Sequence, residues 1–243
     1  MLQNAYELFL SGPNSYRLDV FPPFPFELGS MRSTWRDRDR DFRKPLVDGE
    51  TTFAQLIMAL HDEQPIRYKP LPGFDSDYDS PEYRRLQQTI NCDEVYPGIF
   101  IGDESTAKNK NYLARIGITH VLNAAEGNRF GCVNTNEHFY RGTNIKYCGL
   151  QLTDLPSTDI SKYFYTAAAF IEDALKNGGR VLVHCVMGIS RSATCVIAYL
   201  MIKKHMMAAD AIRLIRQSRA IHPNEGFLRQ LAALDNQLRR SRL

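Results

Sequence analysis

The chain is predicted to fold as an α/β sandwich with a mostly parallel central sheet, on three observations. Short apolar runs rich in β-branched residues alternate with stretches of helical period. The run Val181-Leu182-Val183 is apolar at consecutive positions, as in a strand covered on both faces. No apolar run approaches the ~18 residues that a membrane span needs, so the apolar material is there to build a core.

The elements follow in chain order. Residues 1–50 hold Phe21-Pro-Pro-Phe-Pro-Phe26 and Arg36-Asp-Arg-Asp-Arg-Asp-Phe-Arg-Lys44 without a sustained apolar period, and are read as a largely disordered extension. The ordered domain, 51–243, begins with Phe53, Leu56, Ile57 and Leu60 at helical spacing. An acidic linker, Phe74 to Ser80, precedes the first strand region around Val95 and Ile99–Ile101, and the conserved-type core is taken as about 90–240. A helix is expected over Ala107–Ile116, a strand over Thr119–Asn123 and another over Ile145–Leu152. Pro156 enforces a loop, after which Asp159 or Ser157 caps a helix carrying Ile160, Phe164, Ala167, Ile171 and Leu175. The strand 181–184 comes next, followed by three helices. These carry Ala193, Val196, Ile197, Leu200 and Met201; then Ala208, Ala211, Ile212 and Ile215; then Phe227, Leu231, Leu234 and Leu238.

Composition bounds the function. The net charge of +3 is small, and no lysine–arginine block interleaved with aromatics suggests nucleic acid. The opening ten residues lack a basic region and are too short for a signal peptide. Five cysteines, an odd number without framework spacing, fit a reducing compartment, so cytosol or nucleus is expected.

Cys185 carries the chemistry. It follows a buried strand and precedes a helix, where loop N–H groups and the helix dipole favour an anion. A phosphate would fit, and the same field favours thiolate over thiol. Arg191, six residues on, can hold two phosphoryl oxygens in a planar fork. Six residues beyond Cys92, Cys132, Cys148 and Cys195 stand Gly98, His138, Asp154 and Met201, so Cys185 alone meets the pattern.

The motif His184-Cys185-x-x-Gly188-x-Ser190-Arg191-Ser192 resembles the signature of cysteine-dependent protein tyrosine phosphatases. Cys92 to Gly102, Gly117 to Gly127 and Pro223-Asn224-Glu-Gly226-Phe-Leu228 narrow the resemblance to small atypical dual-specificity phosphatases of the VHR type. It implies a five-stranded mixed sheet with flanking helices and a protein phosphatase acting on phosphotyrosine and phosphoserine or phosphothreonine, with no metal or other cofactor. In such an enzyme Cys185 forms a phosphocysteine and Arg191 binds the phosphoryl oxygens. The backbone of Val186, Met187, Gly188, Ile189 and Ser190 cradles the phosphate. His184 holds the loop and lowers the thiol pKa, Ser192 assists thiolate departure, and Asn224 fixes the loop.

A general acid must protonate the leaving oxygen. The family places it on the loop after the strand that precedes the motif, where Asp154 aligns best. Arg219 matches a family arginine that binds a second phosphate or an acidic flank of the substrate. Val186, Met187 and Ile189 depart from the VHR pattern and give the pocket an apolar rim. Phosphoprotein substrates follow from the resemblance, with mitogen-activated protein kinases as a family-level expectation. Alternatives from other classes are a phosphoinositide or RNA phosphatase of the same mechanism, and a pseudophosphatase that binds without turnover. An exposed low-pKa thiolate is also expected to be oxidisable, with Cys148, Cys195 or another thiol open as its disulfide partner.

Overall fold

The computed structural model describes residues 49–62, 69–74 and 80–242. The extension expected to be disordered lies, over residues 1–48, outside the described residues, as does the acidic linker over 75–79.

Five strands form one sheet: β1 (Cys92–Tyr96), β2 (Ile99–Gly102), β3 (His120–Asn123), β4 (Lys146–Gly149) and β5 (Val181–His184), in the order β1-β2-β5-β3-β4. β1 and β2 form an antiparallel pair and the other three pairings are parallel, so the mixed, mostly parallel sheet agrees with the sequence reading. β5 lies between β2 and β3, which puts the Cys185 loop at the C-terminal end of the middle strand, the usual ligand position in open α/β sheets.

The pleat sorts the core into two layers. Ile99, Ile101, Leu122, Val181 and Val183 pack into one cluster, while Phe100, Val121 and Leu182 pack into another on the opposite face. The larger cluster is roofed by α1 (Phe53–Leu60), α5 (Phe164–Lys176), α6 (Arg191–Lys203), α7 (Ala208–Arg216) and α8 (Glu225–Arg240). The smaller is closed by α2 (Pro81–Gln87), α3 (Glu104–Lys108) and α4 (Lys110–Arg115), with Leu71, Phe74 and Tyr140.

Three details differ from the sequence reading. The helix expected over 107–116 is two helices, α3 and α4, because Asn109 leaves helical geometry (φ −90°, ψ 82°) and its side chain caps the Tyr112 amide. The strand expected over 145–152 stops at Gly149, although Leu150 and Leu152 remain buried. Helix α2 was not expected; its signal is Ser80-Pro81-Glu82, in which Ser80 accepts from the Tyr83 amide and proline occupies the first turn. Asp159 sits ahead of the 3₁₀ turn (Ser161–Tyr163) leading into α5, its Oδ1 accepting from the amide and hydroxyl of Ser161, while the N-cap positions of the turn and of α5, Ile160 and Tyr163, have no side-chain cap.

The domain's two ends are tied together. The Thr51 amide donates to Asn236 Oδ1 at 2.7 Å and its hydroxyl to Asp235 Oδ2 at 2.5 Å, all within buried surroundings. This fixes α1 against α8, and no periodicity in the sequence announces it.

Candidate active site

The loop after β5 turns its carbonyls outward, one after another. The His184 carbonyl accepts from the Ala124 amide, Cys185 from His184 Nδ1, Val186 from the Glu104 amide, and Met187 and Gly188 from Arg219. Ile189 accepts from the His222 amide, and Ser190 from the amide and hydroxyl of Thr194. With every carbonyl from 184 to 190 engaged, the amides are left to converge on the centre of the loop. Gly188 N–H donates to Cys185 Sγ at 3.2 Å, and Ser192 Oγ stands 3.4 Å from the same sulfur.

Gly188 is required twice over. Its φ is +70°, and a Cβ there would lie 2.5 Å from the Gly102 carbonyl oxygen and 2.6 Å from Arg219 Nη2.

Burial alone would raise the Cys185 thiol pKa, yet the net shift is downward. Desolvation is the largest single influence, but the Arg191 charge, the Ser192 hydroxyl and the Ser192 and Ile189 amides together outweigh it. His184 contributes no charge: burial, aided by Arg191, pushes its pKa down to about 4, so it is a neutral ring with Nε2 buried and unpartnered. The thiolate is therefore favoured by Arg191, Ser192 and loop amides, with His184 acting on the loop backbone. The other buried thiols, Cys92 and Cys195, are pushed up by desolvation. Cys185 itself is only 1% exposed, so the expectation of an exposed sulfur does not hold in this geometry.

Arg191 is buried in the first turn of α6. Its Nη1 donates to the carbonyls of Gly131 (2.8 Å) and Leu152 (3.1 Å), while Nε has no hydrogen-bond partner among the described residues and faces Asp154 Oδ2 at 3.4 Å. An unspent, buried guanidinium donor beside a converging set of amides is a place for an anion. Asp154 is brought to this place as expected. Its Oδ1 accepts from Ser190 Oγ and Asn224 Nδ2, each at 2.8 Å. Asn224 also caps α8 through the Phe227 amide and donates its own amide to Ser190 Oγ. Gly226 lets the Asp154 loop sit on α8, since a Cβ there would clash with the Pro156 carbonyl oxygen.

Arg219 is a correction. It is 4% exposed, and its guanidinium donates to Gly188 O (2.7 Å), Met187 O (3.2 Å), Asn91 Oδ1 (2.9 Å) and Asp93 Oδ2 (2.6 Å). No exposed guanidinium face remains for a second phosphate; the residue braces the loop from behind. Sequence reasoning missed Asn91 and Asp93 as its partners, and Gly131 and Leu152 as those of Arg191, because main-chain acceptors and distant strand residues leave no local pattern. Among the described residues, no group of three or more His, Cys, Asp or Glu side chains is arranged to hold a metal ion.

Comparison with known proteins agrees with this geometry. Residues 99–237 match the family described as the dual specificity phosphatase catalytic domain. The chain is 49% identical to dual specificity protein phosphatase 13B of Mus musculus over 158 residues, covering 65% of this chain and 79% of that one. It is 48% identical to dual specificity protein phosphatase 26 of Homo sapiens over 150 residues, covering 61% and 69%. Among solved structures, DUSP15 aligns with a TM-score of 0.53 at 32% identity over 62% of this chain and 93% of that one. Human DUSP28 aligns with a TM-score of 0.53 at 27% identity over 60% and 94%. The chain belongs to the atypical dual-specificity protein phosphatases of the protein tyrosine phosphatase superfamily.

Proposed function

We propose that this protein phosphatase works through Cys185 as nucleophile, Arg191 as phosphoryl clamp and Asp154 as general acid and base. The observation that carries the reading is the convergence of an unspent Arg191 Nε, the Gly188 amide and the Asp154 carboxyl around a sulfur whose pKa is lowered. Substrate phosphate takes the place opposite Arg191 that Asp154 now faces. The thiolate attacks phosphorus, the P–O bond to the substrate breaks, and the departing oxygen receives the proton of Asp154. Water then attacks the phosphocysteine, giving its proton to Asp154, and the thiolate leaves with the Ser192 hydroxyl donating to it. Loop amides and Arg191 carry the charge on the equatorial oxygens in both steps.

The catalytic unit under this reading is 51–243, with 1–50 an extension; the Thr51 clamp to α8 supports the boundary. Mitogen-activated protein kinases are the proposed partner class, on family grounds. Cytosol or nucleus is the proposed compartment, in keeping with five free thiols. No helix among the described residues is long and apolar enough to cross a membrane.

Substitution tests the roles. Cys185→Ser is expected to abolish hydrolysis of phosphopeptides while retaining their binding, and Asp154→Ala to slow turnover most for poor leaving groups. Vanadate inhibits under this mechanism and a chelator does not. Normal turnover by Cys185→Ser, or loss of activity to the chelator, overturns it.

A further inference from the structure

Beside the Arg219 brace opens a cavity of about 140 Å³ that no residue of the catalytic loop lines. Its lining is charged in both senses. Asp93 and Glu94 supply carboxylates, Lys69 and Arg180 supply cations, and Pro70 and Pro72 add apolar wall.

Much of that charge is uncommitted. Asp93 gives Oδ2 to Arg219 at 2.6 Å, while its Oδ1 takes no hydrogen bond among the described residues. Burial raises the Asp93 pKa in spite of Arg219 and Lys69, so the carboxylate is still short of positive charge. Glu94 is exposed and commits Oε1 alone, to the Gly98 amide at 2.9 Å. Lys69 makes no hydrogen bond or ion pair among the described residues, and the Arg180 guanidinium commits only Nη1, to Ile116 O at 3.0 Å. A bare anion or a bare cation would meet two charges of its own sign here. The fitting occupant carries both signs.

Asp93 stands three hydrogen bonds from the catalytic sulfur. Arg219 Nη1 meets Asp93 Oδ2 at 2.6 Å, Arg219 Nε holds Gly188 O at 2.7 Å, and Gly188 N–H meets Cys185 Sγ at 3.2 Å. A cation arriving at Asp93 draws the carboxylate away from Arg219. The guanidinium then holds Met187 O and Gly188 O less firmly, and the loop amides bind an anion less well.

We propose that this cavity is a regulatory site for a small zwitterion of the basic amino acid class, its cationic group on Asp93 and Glu94 and its carboxylate on Lys69 and Arg180, and that occupation weakens anion binding at Cys185 through Arg219. A guanidinium fork can meet two carboxylates at once, and its methylene stem suits the proline wall. The coupling is reciprocal, so an anion at Cys185 weakens the zwitterion by the same factor.

The test titrates the full chain with L-arginine by calorimetry at fixed ionic strength, with and without saturating vanadate. Binding is expected in the millimolar range, as so small a ligand allows. Agmatine, which lacks the carboxylate, should bind at least about tenfold more weakly. Saturating arginine should raise the vanadate Kd about fivefold, and vanadate should raise the arginine Kd equally. Glu94→Gln, which keeps an oxygen for the Gly98 amide, and Lys69→Ala should each weaken arginine about tenfold without altering the vanadate Kd measured alone. Arg219→Lys should still bind arginine but lose the coupling. Equal binding by N-acetyl-L-arginine would assign the site to a peptide C-terminus, and loss on acetylation to the free amino acid, either of which upholds it. No arginine binding, agmatine binding as tightly, arginine binding unchanged in Glu94→Gln, or a vanadate Kd indifferent to arginine would overturn the proposal. Failure of vanadate to bind the wild-type protein would instead sink the phosphocysteine reading, leaving the arginine titration to stand by itself.

Discussion

Replacing Arg219 by alanine tests whether the catalytic loop is shaped from behind. The substitution removes donors from Met187 O and Gly188 O and strips Asp93 of a partner at 2.6 Å. Breaking a buried pair costs roughly 3–5 kcal/mol, and because the Asp93 side chain is 28% exposed the lower end applies, about 3 kcal/mol. That is a large share of a domain stability of about 5–15 kcal/mol. Released carbonyls also let the Gly188 and Ile189 amides drift from the sulfur. Losing one such donor to a transition-state oxyanion costs about 10²–10³ in kcat, so a fall of at least about tenfold is expected here for mere misalignment. Arg219→Lys should rescue only in part, since one ammonium cannot span four acceptors in different directions. Urea denaturation gives the stability term, and kcat on a singly phosphorylated peptide gives the catalytic one. If Arg219→Ala kept normal stability and kcat and weakened only the KM of doubly phosphorylated peptides, the bracing role would be refuted in favour of direct substrate contact.

Two other expectations bear on the same site. Gly226→Ala places a methyl against the Pro156 carbonyl oxygen, so the Asp154 loop must move; kcat should fall most for poor leaving groups, with about 1–3 kcal/mol lost to overpacking. Unchanged leaving-group dependence would show that Asp154 does not ride on that contact. His184 titrates at about 4 when folded against 6.5 when free, so between those values the unfolded chain binds the extra proton and stability rises with pH. Acidification through that window should therefore remove about 3 kcal/mol. Urea midpoints at pH 7 and pH 4, compared with those of His184→Asn, check this, and identical pH slopes in the two proteins would exclude His184 as the source.

Much of the fold was legible because its signals are local. Val181 to Val183 announced a central strand by lacking alternation, and the helices after it by spacing at three and four. The placement of the proposed nucleophile Cys185 and the proposed acid Asp154 at one site was also legible, the first through a motif and the second through a loop between strand and proline. What escaped had no local period. Asn109 breaks a helix by satisfying Tyr112 through its side chain. Arg219 was read as a ligand for a second phosphate or an acidic flank of the substrate, and only the fold brings Asp93 from β1 and the carbonyls of the β5 loop around it. The pairing of Thr51 with Asp235 and Asn236 spans most of the domain and depends wholly on tertiary packing.

The outward anchoring of the loop from residue 184 to 190 separates two kinds of evolutionary freedom. The scaffold grips main-chain oxygens, which any amino acid except for the constrained glycine presents alike, so the side chains at 186, 187 and 189 can be exchanged without loosening the grip. Appetite for one target or another can then drift, or be rewritten at the bench, while the reacting centre keeps its shape.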